Sequence, residues 1–382
     1  SLHNNLKNQY VIISALKSND SRDSRSPIHP DTVSALTTLG AEILFEKDIG
    51  FGIYTSNEDF IAKGLQPAFR ADCIQKSDMV ISLQPLSEDE IKSMKKGSTL
   101  IGIMNPFSNQ SLIDLCAQQN INLVSMEFIP RITRAQKMDV LSSQANLAGY
   151  AAVIESANHL SNALPMMMTA AGTLKPAKVF VIGVGVAGLQ AIATAKRLGA
   201  RVEAFDTRDV VEEQVKSLGA KFVKIDLGET GETDQGYAKE LTSEQIEKQK
   251  ELQSLVCARS DIVITTAQLF GRPAPQIIDN NTIRKMKPGS VIFDMAVESG
   301  GNVEGSVADE VVINNGVKIV GISNLASKVS SHASLALSNN LNHWICDFYS
   351  KDDNKINFDF DDEIIKSSVL VHEGKVMNER FK

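Results

Sequence analysis

Three glycines that follow a buried-strand pattern are the residues in this sequence best suited to hold a phosphate group. The apolar run 178–182 is followed at once by Gly183, Gly185 and Gly188, and then by a helical pattern. In such a turn the first glycine permits the sharp bend, the second lets a pyrophosphate approach the backbone, and the third lets helix and strand pack closely. The helix N-terminus then directs free N–H groups at the phosphates. The same spacing also suits a strand–turn–helix connection that needs glycine for packing alone.

An acidic residue in the right place favours the nucleotide interpretation. A second strand pattern, 201–205, ends at Asp206, close to the ~20 residues expected between the glycines and a ribose-binding carboxylate. A carboxylate here accepts hydrogen bonds from the ribose hydroxyls and repels a 2′-phosphate. We therefore expect a bound dinucleotide, and NAD(H) rather than NADP(H). Arg208, two residues further on, keeps NADP(H) open as an alternative.

A polar cluster precedes the first long helical pattern. Arg131, Gln136, Asp139 and Ser142 fall at this helix start. One interpretation is a solvated helix N-terminus, with Asp139 favourable to the helix dipole. The other is a group that grips a nicotinamide, since Gln136 can bond its carboxamide while Arg131 and Asp139 hold each other and the ribose.

Length, composition and charge limit the class of protein. The chain has 382 residues, of which 43% are hydrophobic and 22% charged, as expected for two well-packed domains. Its formal net charge of −7 argues against nucleic acid and anionic membrane surfaces as partners. No stretch approaches the ~20 apolar residues that span a bilayer, and the polar residues 1–9 predict no signal peptide. Four scattered cysteines and six scattered histidines predict reduced thiols, a cytosolic compartment and no metal site.

Short apolar runs alternate with helical patterns along the chain, which predicts βαβ units and mostly parallel sheets. The predicted strands are 10–16, 42–45, 79–83, 99–104, 122–128, 178–182, 201–205, 221–225, 261–266, 290–295, 317–320, 357–360 and 369–372. Long helical patterns at 138–164 and 325–348 bracket the second series. We therefore predict an α/β fold of two Rossmann-like, doubly wound domains joined by two long helices. The N-terminal domain is 1–136 plus 325–382, and the NAD(H)-binding domain is 137–324. The run Met166–Met168 and the pair Trp344 and Phe348 are interpreted as core residues.

Several runs resemble domain I, the NAD(H)-binding component (alpha subunit) of proton-translocating NAD(P)⁺ transhydrogenases, in the alanine dehydrogenase/transhydrogenase superfamily. The runs are 130–150, 165–172, 183–200 and 285–292. The resemblance implies two Rossmann-like domains with NAD(H) in the cleft, and a homodimer. It also implies hydride transfer from NADH to NADP⁺ on a separate NADP(H)-binding component, coupled to proton translocation by a membrane proton-channel component. The expected location is the cytoplasmic side of the bacterial inner membrane, or the matrix side in an organelle.

The resemblance also implies roles for individual residues. Arg131, Gln136, Asp139 and Ser142 are expected at the nicotinamide end, where hydride transfer takes place. Asp206, Thr207 and Arg208 are expected at the adenosine ribose, and 228–243 is expected to form a mobile closing loop. The full cofactor-binding set is Arg131, Ile132, Thr133, Gln136, Gly183, Gly185, Val186, Ala187, Gly188, Asp206, Thr207, Arg208, Gly236, Tyr237, Gln249, Ala267 and Gln268.

An alanine dehydrogenase-like amino-acid dehydrogenase is the main alternative. Oxidising an amino acid needs a base that takes a proton while the hydride leaves, whereas exchange between two nicotinamides needs none. Such dehydrogenases carry a lysine in a Val-Lys-Glu-Pro run and a histidine in a later His-Leu run. This chain has Ser-Leu-Gln-Pro at 82–85 and Ile-Met-Asn-Pro at 103–106. Arg25 is shared by both branches, and Glu298 is given no catalytic role. A non-catalytic NAD-sensing or assembly protein is a third possibility.

Overall fold

The computed structural model describes residues 11–226, 228, 232–235 and 239–382. The chain forms two compact units, one of residues up to Gln144 and from Ser327 onward, the other Ala145–Ala326. The division at Gln144 falls inside a long helix, whereas the sequence prediction places it before that helix, at 136. Residue 10 of the first predicted strand lies outside the described residues.

The first segment alternates strands and short helices. Its elements are β1 (Ile12–Ala15), α1 (Ser34–Thr37), β2 (Glu42–Glu46), α2 (Asn57–Ile61), β3 (Gln66–Ala68), α3 (Arg70–Lys76), β4 (Met79–Ser82), α4 (Glu88–Ser93), β5 (Thr99–Gly102), α5 (Gln110–Gln118), β6 (Asn122–Ser125) and α6 (Val140–His159). Strands β4, β5 and β6 are buried along their whole length, as expected for parallel strands covered on both faces. Capping boxes at Ser56 and Ser87 begin α2 and α4 by satisfying free N–H groups of the first turn.

The second unit has the same alternation. Its elements are β7 (Met167–Thr169), β8 (Gly172–Leu174), β9 (Lys178–Ile182), α7 (Val186–Arg197), β10 (Arg201–Phe205), α8 (Glu212–Ser217), β11 (Lys221–Phe222), α9 (Ser243–Ala258), β12 (Ile262–Thr265), α10 (Asn280–Lys285), β13 (Val291–Asp294), β14 (Val311–Asn314) and β15 (Val317–Val320). Over the described residues the main sheet has the order β11-β10-β9-β12-β13-β15-β14, and β14 is its antiparallel edge strand. The order reverses between β9 and β12, and this switch point is where open parallel sheets bind their ligands.

The chain then returns to the first unit. The last elements are α11 (Ser330–Phe348), β16 (Tyr349–Ser350), β17 (Lys355–Ile356), α12 (Glu363–Ser368), β18 (Val369–His372) and β19 (Lys375–Val376). The sheet of this unit, in its described residues, has the order β19-β18-β6-β5-β4-β1-β2-β3. The six strands β1–β6 pair in parallel, and β18 and β19 add to them in antiparallel fashion. Two doubly wound, mostly parallel sheets confirm the predicted fold class.

Three local predictions can be compared with the structure. Trp344 is fully buried and its indole N–H donates to the Ser368 hydroxyl at 3.1 Å, which confirms a core role. The predicted strand 357–360 is wrong, because Phe358 and Phe360 leave the sheet and pack their rings on His372. The core interpretation of Met166–Met168 is also wrong, since these side chains are exposed on the β7–β8 hairpin.

Candidate functional site

The glycine turn after β9 is held by the ends of both neighbouring strands. The Gly183 N–H donates to the carbonyl of Phe205, at the end of β10, over 2.8 Å. From the β12 side, the Thr266 hydroxyl donates to the carbonyl of Gly183, also over 2.8 Å. Gly183 has a φ of +97°, a conformation that glycine adopts without steric penalty. The turn is therefore fixed at the switch point of the sheet.

The two other glycines of the turn differ in what surrounds them. A Cβ on Gly188 would lie 1.9 Å from the carbonyl oxygen of Gly183, so α7 can approach the turn only because this residue has no side chain. A Cβ on Gly185 would meet nothing within 4 Å. Helix geometry leaves the N–H groups of the first turn of α7 without intrahelical partners. Open space at Gly185 beside these N–H groups is the arrangement that binds a pyrophosphate.

Asp206 ties the glycine turn to Arg208. One carboxylate oxygen accepts the backbone N–H of Val184 at 2.8 Å and an Nη2–H of Arg208 at 2.9 Å. The other accepts the Arg208 backbone N–H at 2.8 Å and its Nε–H at 2.9 Å. A carboxylate offers about four acceptor positions, so a ribose hydroxyl must displace a donor already present. The hydrogen bond to Asp206 is the main cause that raises the pKa of Arg208, against the lowering effect of burial.

The remaining adenosine-side candidates lie on three elements. Thr207 lies between Asp206 and Arg208. Gln249, on α9, is buried, and its Oε1 has no hydrogen-bond partner among the described residues. Gln268 follows β12 and donates to the carbonyl of Met295 at 3.4 Å. Gly236 and Tyr237 lie outside the described residues.

A buried carboxylate at the end of β13 organises the segment behind Gln268, and the sequence reasoning did not select it. Asp294 accepts the N–H groups of Ala296 and Asn302 and the hydroxyl of Ser306, at 3.0, 2.9 and 2.7 Å. Asn302 in turn donates to the carbonyls of Ala267 and Pro275 at 2.8 and 2.9 Å. The position of Ala267 thus depends on Asn302. An aspartate ending a buried strand before a Gly-Gly pair was the available sequence signal.

The predicted nicotinamide-end residues lie where the chain leaves β6 and enters α6. Asp139 accepts the backbone N–H and the hydroxyl of Ser142 at 3.0 and 2.7 Å, which caps the start of α6. The structure does not pair Arg131 with Asp139. Within the described chain, the exposed side chains of Arg131 and Gln136 form no hydrogen bond or ion pair. Asp139 and Ser142 therefore have a structural role, while Arg131 and Gln136 remain available to a ligand. Ile132 and Thr133 complete this connection.

The first unit has its own switch point, between β1 and β4, and protein contacts fill it. Arg25 is buried and forms a bidentate pair with Asp23 at 2.9 and 2.8 Å, and its Nη1 donates to Gln144 at 3.0 Å. Gln84 donates to Asp23 at 3.2 Å. Leu83 occupies the lysine position of the Val-Lys-Glu-Pro run and is buried. The guanidinium here is neutralised by a neighbouring carboxylate, and the adjacent position has no base.

A buried glutamate holds the second run, 103–106, in place. Glu127 accepts the N–H groups of Met104 and Asn105 at 3.0 and 2.6 Å and the hydroxyl of Ser125 at 2.8 Å. Burial raises the pKa of Glu127, and these hydrogen bonds only partly offset the effect. Asn105 has a φ of +45°. The run carries no histidine and is fixed through its backbone.

Comparison with known proteins identifies the family. The model described as "Alanine dehydrogenase/PNT, N-terminal domain" matches residues 16–148, and "Alanine dehydrogenase/PNT, C-terminal domain" matches 152–379. The chain belongs to the alanine dehydrogenase/PNT family. This confirms the resemblance found in the sequence.

Within this family, the chain is similar to transhydrogenase subunits along nearly its whole length. It is 42% identical to the first of the two-part alpha subunits of NAD(P) transhydrogenase from Rickettsia prowazekii, over 96% of each chain. It is 42% identical to the protein of the same name from Rhodospirillum rubrum, over 93% of this chain and 95% of the relative. The crystal structure of a transhydrogenase from Sinorhizobium meliloti is 40% identical, with a TM-score of 0.86 over 96% of this chain and 99% of the other. The homologues place this member of the alanine dehydrogenase/PNT family with transhydrogenase components, in a family of oxidoreductases.

Membrane-spanning and metal-binding features are both missing from the residues that the structure describes. No described helix combines the length and apolar character needed to cross a membrane. No group of three or more His, Cys, Asp or Glu side chains in the described chain is arranged to hold a metal ion. Burial raises the pKa of the Cys73, Cys116 and Cys257 thiols to about 12, so these thiols stay protonated at neutral pH.

Proposed function

We propose that this chain is the NAD(H)-binding component of a proton-translocating NAD(P)⁺ transhydrogenase. NADH bound here passes a hydride to NADP⁺ held by an NADP(H)-binding component, and a membrane component couples that transfer to proton movement. The observation that carries the proposal is the combination of an intact glycine turn with the absence of an acid–base side chain at the dehydrogenase positions. Leu83 is buried where amino-acid dehydrogenases of this family have lysine, and 103–106 contains no histidine.

The reaction chemistry explains why that combination suffices. A hydride that moves between two nicotinamide rings leaves one ring carbon and joins another, and no proton moves at either carbon. The protein must hold the rings about 3–3.5 Å apart, align them and exclude water. Hydrogen-bond donors and acceptors for the carboxamide and ribose can do this without a general base.

Each portion of the cofactor has a proposed set of protein contacts. We assign the pyrophosphate to Gly185 and the N–H groups of Val186 and Ala187, because this helix end is open. We assign the adenosine ribose to the segment around Asp206. The nicotinamide end is assigned to Arg131 and Gln136, the polar side chains of the α6 connection that have no partner in the described chain, with Asp139 and Ser142 fixing their backbone.

We further infer a homodimer in which a second copy covers the β7–β8 hairpin. Met168 is 81% exposed and Leu174 49% exposed on this hairpin, and an exposed apolar cluster of this kind marks a protein contact. Analytical ultracentrifugation should show a dimer for the wild type and a larger monomer fraction for Met168→Asp. Ile313→Asp is the control, since Ile313 is 68% exposed on a different strand, β14. A monomeric wild type would contradict the inference.

Binding and turnover of the purified chain test the proposed function. We expect NADH binding in preference to NADPH, and no oxidation of L-alanine with NAD⁺ or reductive amination of pyruvate with NADH. Turnover of an amino acid would support the dehydrogenase alternative and contradict the proposal. In the complete complex, the proposal places the chain on the cytoplasmic face of a bacterial inner membrane, or on the matrix face in an organelle.

A further inference from the structure

Arg208 lies where a guanidinium usually selects NADP(H). It follows the ribose-binding Asp206 by two residues, and an arginine near this position accommodates the 2′-phosphate in NADP(H)-binding Rossmann domains. A chain that prefers NAD(H) must prevent this side chain from acting in that way. Asp206 alone engages the Nε and Nη2 edge of the guanidinium, and Nη1 lies outside that pair.

A second carboxylate engages the remaining nitrogen. Glu232, 24 residues further along the chain, places Oε1 3.0 Å from Nη1 of Arg208. Nη2 also donates to the carbonyl of Val184 at 3.1 Å. Each of the three guanidinium nitrogens thus has a protein acceptor. Two carboxylates flank one guanidinium, and the local charge is −1.

We propose that Glu232 is a specificity-determining residue that sets the preference for NAD(H) over NADP(H) by occupying Arg208. Its carboxylate takes the hydrogen-bonding position that a 2′-phosphate needs, and it adds a negative charge that repels this group. The inference rests on the proposed function, in which the adenosine ribose lies beside Asp206. It differs from the usual account, in which the carboxylate that ends the second strand discriminates alone.

The geometry sets how strongly Glu232 can act. Its side chain is 42% exposed, whereas the Arg208 side chain is only 8% exposed. Solvent weakens an exposed ion pair, so the effect of one charge should be moderate. For a phosphate of charge near −2, we expect about a tenfold change in NADPH affinity, which is ~1.4 kcal/mol.

Glu232→Gln tests this inference, with Glu240→Gln as its matched control. Glu240 lies eight residues further along and pairs with Arg272 at 2.6 Å, away from Arg208. Dissociation constants are measured for NADH and NADPH, and for 5′-ADP and 2′,5′-ADP, which isolate the 2′-phosphate from the nicotinamide. Glu232→Gln should bind NADPH and 2′,5′-ADP about tenfold more tightly, with NADH and 5′-ADP changed less than about threefold. The gain should shrink at high ionic strength, because salt screens the interaction between the charges.

A second variant separates this role from a merely structural one. Arg208→Ala combined with Glu232→Gln should lose the gain in 2′,5′-ADP affinity, because the guanidinium that would receive the phosphate is gone. An unchanged ratio of NADPH to NADH affinity in Glu232→Gln, or an equal change in the affinity for both, would overturn the inference while leaving the proposed function in place. A wild type that binds neither dinucleotide would overturn both.

Discussion

The glycines of the turn after β9 give a prediction in which stability and binding separate. Gly188→Ala places a Cβ 1.9 Å from the carbonyl oxygen of Gly183, whereas ordinary contact begins at 3.4 Å. The nearest atom belongs to the backbone, so the start of α7 must move by about 1.5 Å, the difference between these two distances. Gly185→Ala places its Cβ in open space, with a backbone (φ −87°, ψ −158°) that alanine adopts freely.

The two substitutions therefore carry different costs. Overpacking of this kind costs about 1–3 kcal/mol, and we take the upper value because a carbonyl cannot rotate away. Alanine's better helix propensity returns about 1 kcal/mol, which leaves a net loss near 2 kcal/mol. In a unit of 182 residues, from Ala145 to Ala326, this lowers Tm by roughly 4–8 °C. Gly185→Ala should leave Tm unchanged or slightly raised, because alanine restricts the unfolded chain.

Differential scanning fluorimetry and NADH fluorescence titration measure the two effects. Gly185→Ala should keep its Tm yet bind NADH at least about tenfold more weakly, a loss of ~1.4 kcal/mol, because its Cβ occupies the space assigned to the pyrophosphate. The Tm increase that NADH produces should shrink accordingly. NADH affinity of Gly185→Ala within about twofold of the wild type would refute the placement of the phosphates. A Gly188→Ala variant as stable as the wild type would refute the packing argument.

Three further substitutions test the nicotinamide end, the support of Ala267 and the buried glutamate. Gln136→Ala should slow hydride transfer at least about tenfold while NADH affinity changes less than about threefold; equal losses in both would argue against a nicotinamide contact. Asn302→Ala leaves two carbonyls without donors, at about 1–3 kcal/mol, so Tm and NADH affinity should both fall, and Asn314→Ala on the edge strand β14 is the control; intact NADH affinity would contradict the positioning of Ala267. Because the folded-state pKa of Glu127 is raised above 4.5, its contribution to stability is present below that pH and lost as the pH rises through the folded-state pKa. The Tm of Glu127→Gln minus that of the wild type should therefore increase with pH over this window, and a constant difference would contradict the burial argument.

Much of the fold could be predicted because its central strands are buried on both faces and therefore have apolar sequences. Strands β4, β5 and β9 were recognised for this reason. Edge and surface elements lack that signal: β3 has three residues, includes Pro67 and is partly exposed. The exposed methionines of the β7–β8 hairpin look in sequence like core residues, because composition does not report which side of an apolar segment faces protein.

The candidate site was predicted in its local contacts and missed in its long-range ones. The glycine turn and Asp206 are set by spacing along the chain, which a sequence displays directly. The contact between Arg208 and Glu232 joins two segments 24 residues apart, and nothing in either segment indicates it. Similarly, an aspartate at a helix start can serve a ligand or the helix, and only the hydrogen bonds of Asp139 to Ser142 show which role it has.

Hydride transfer in a reconstituted complex tests the central claim most directly. The purified chain is mixed with the NADP(H)-binding component, and the reduction of a thionicotinamide analogue of NADP⁺ by NADH is followed by absorbance in a single turnover. We expect reduction when both components are present, none with either alone, and no need for an added amino acid or keto acid. Absence of transfer in the mixture, when the chain has bound NADH, would contradict the claim that this chain is the hydride donor's binding component.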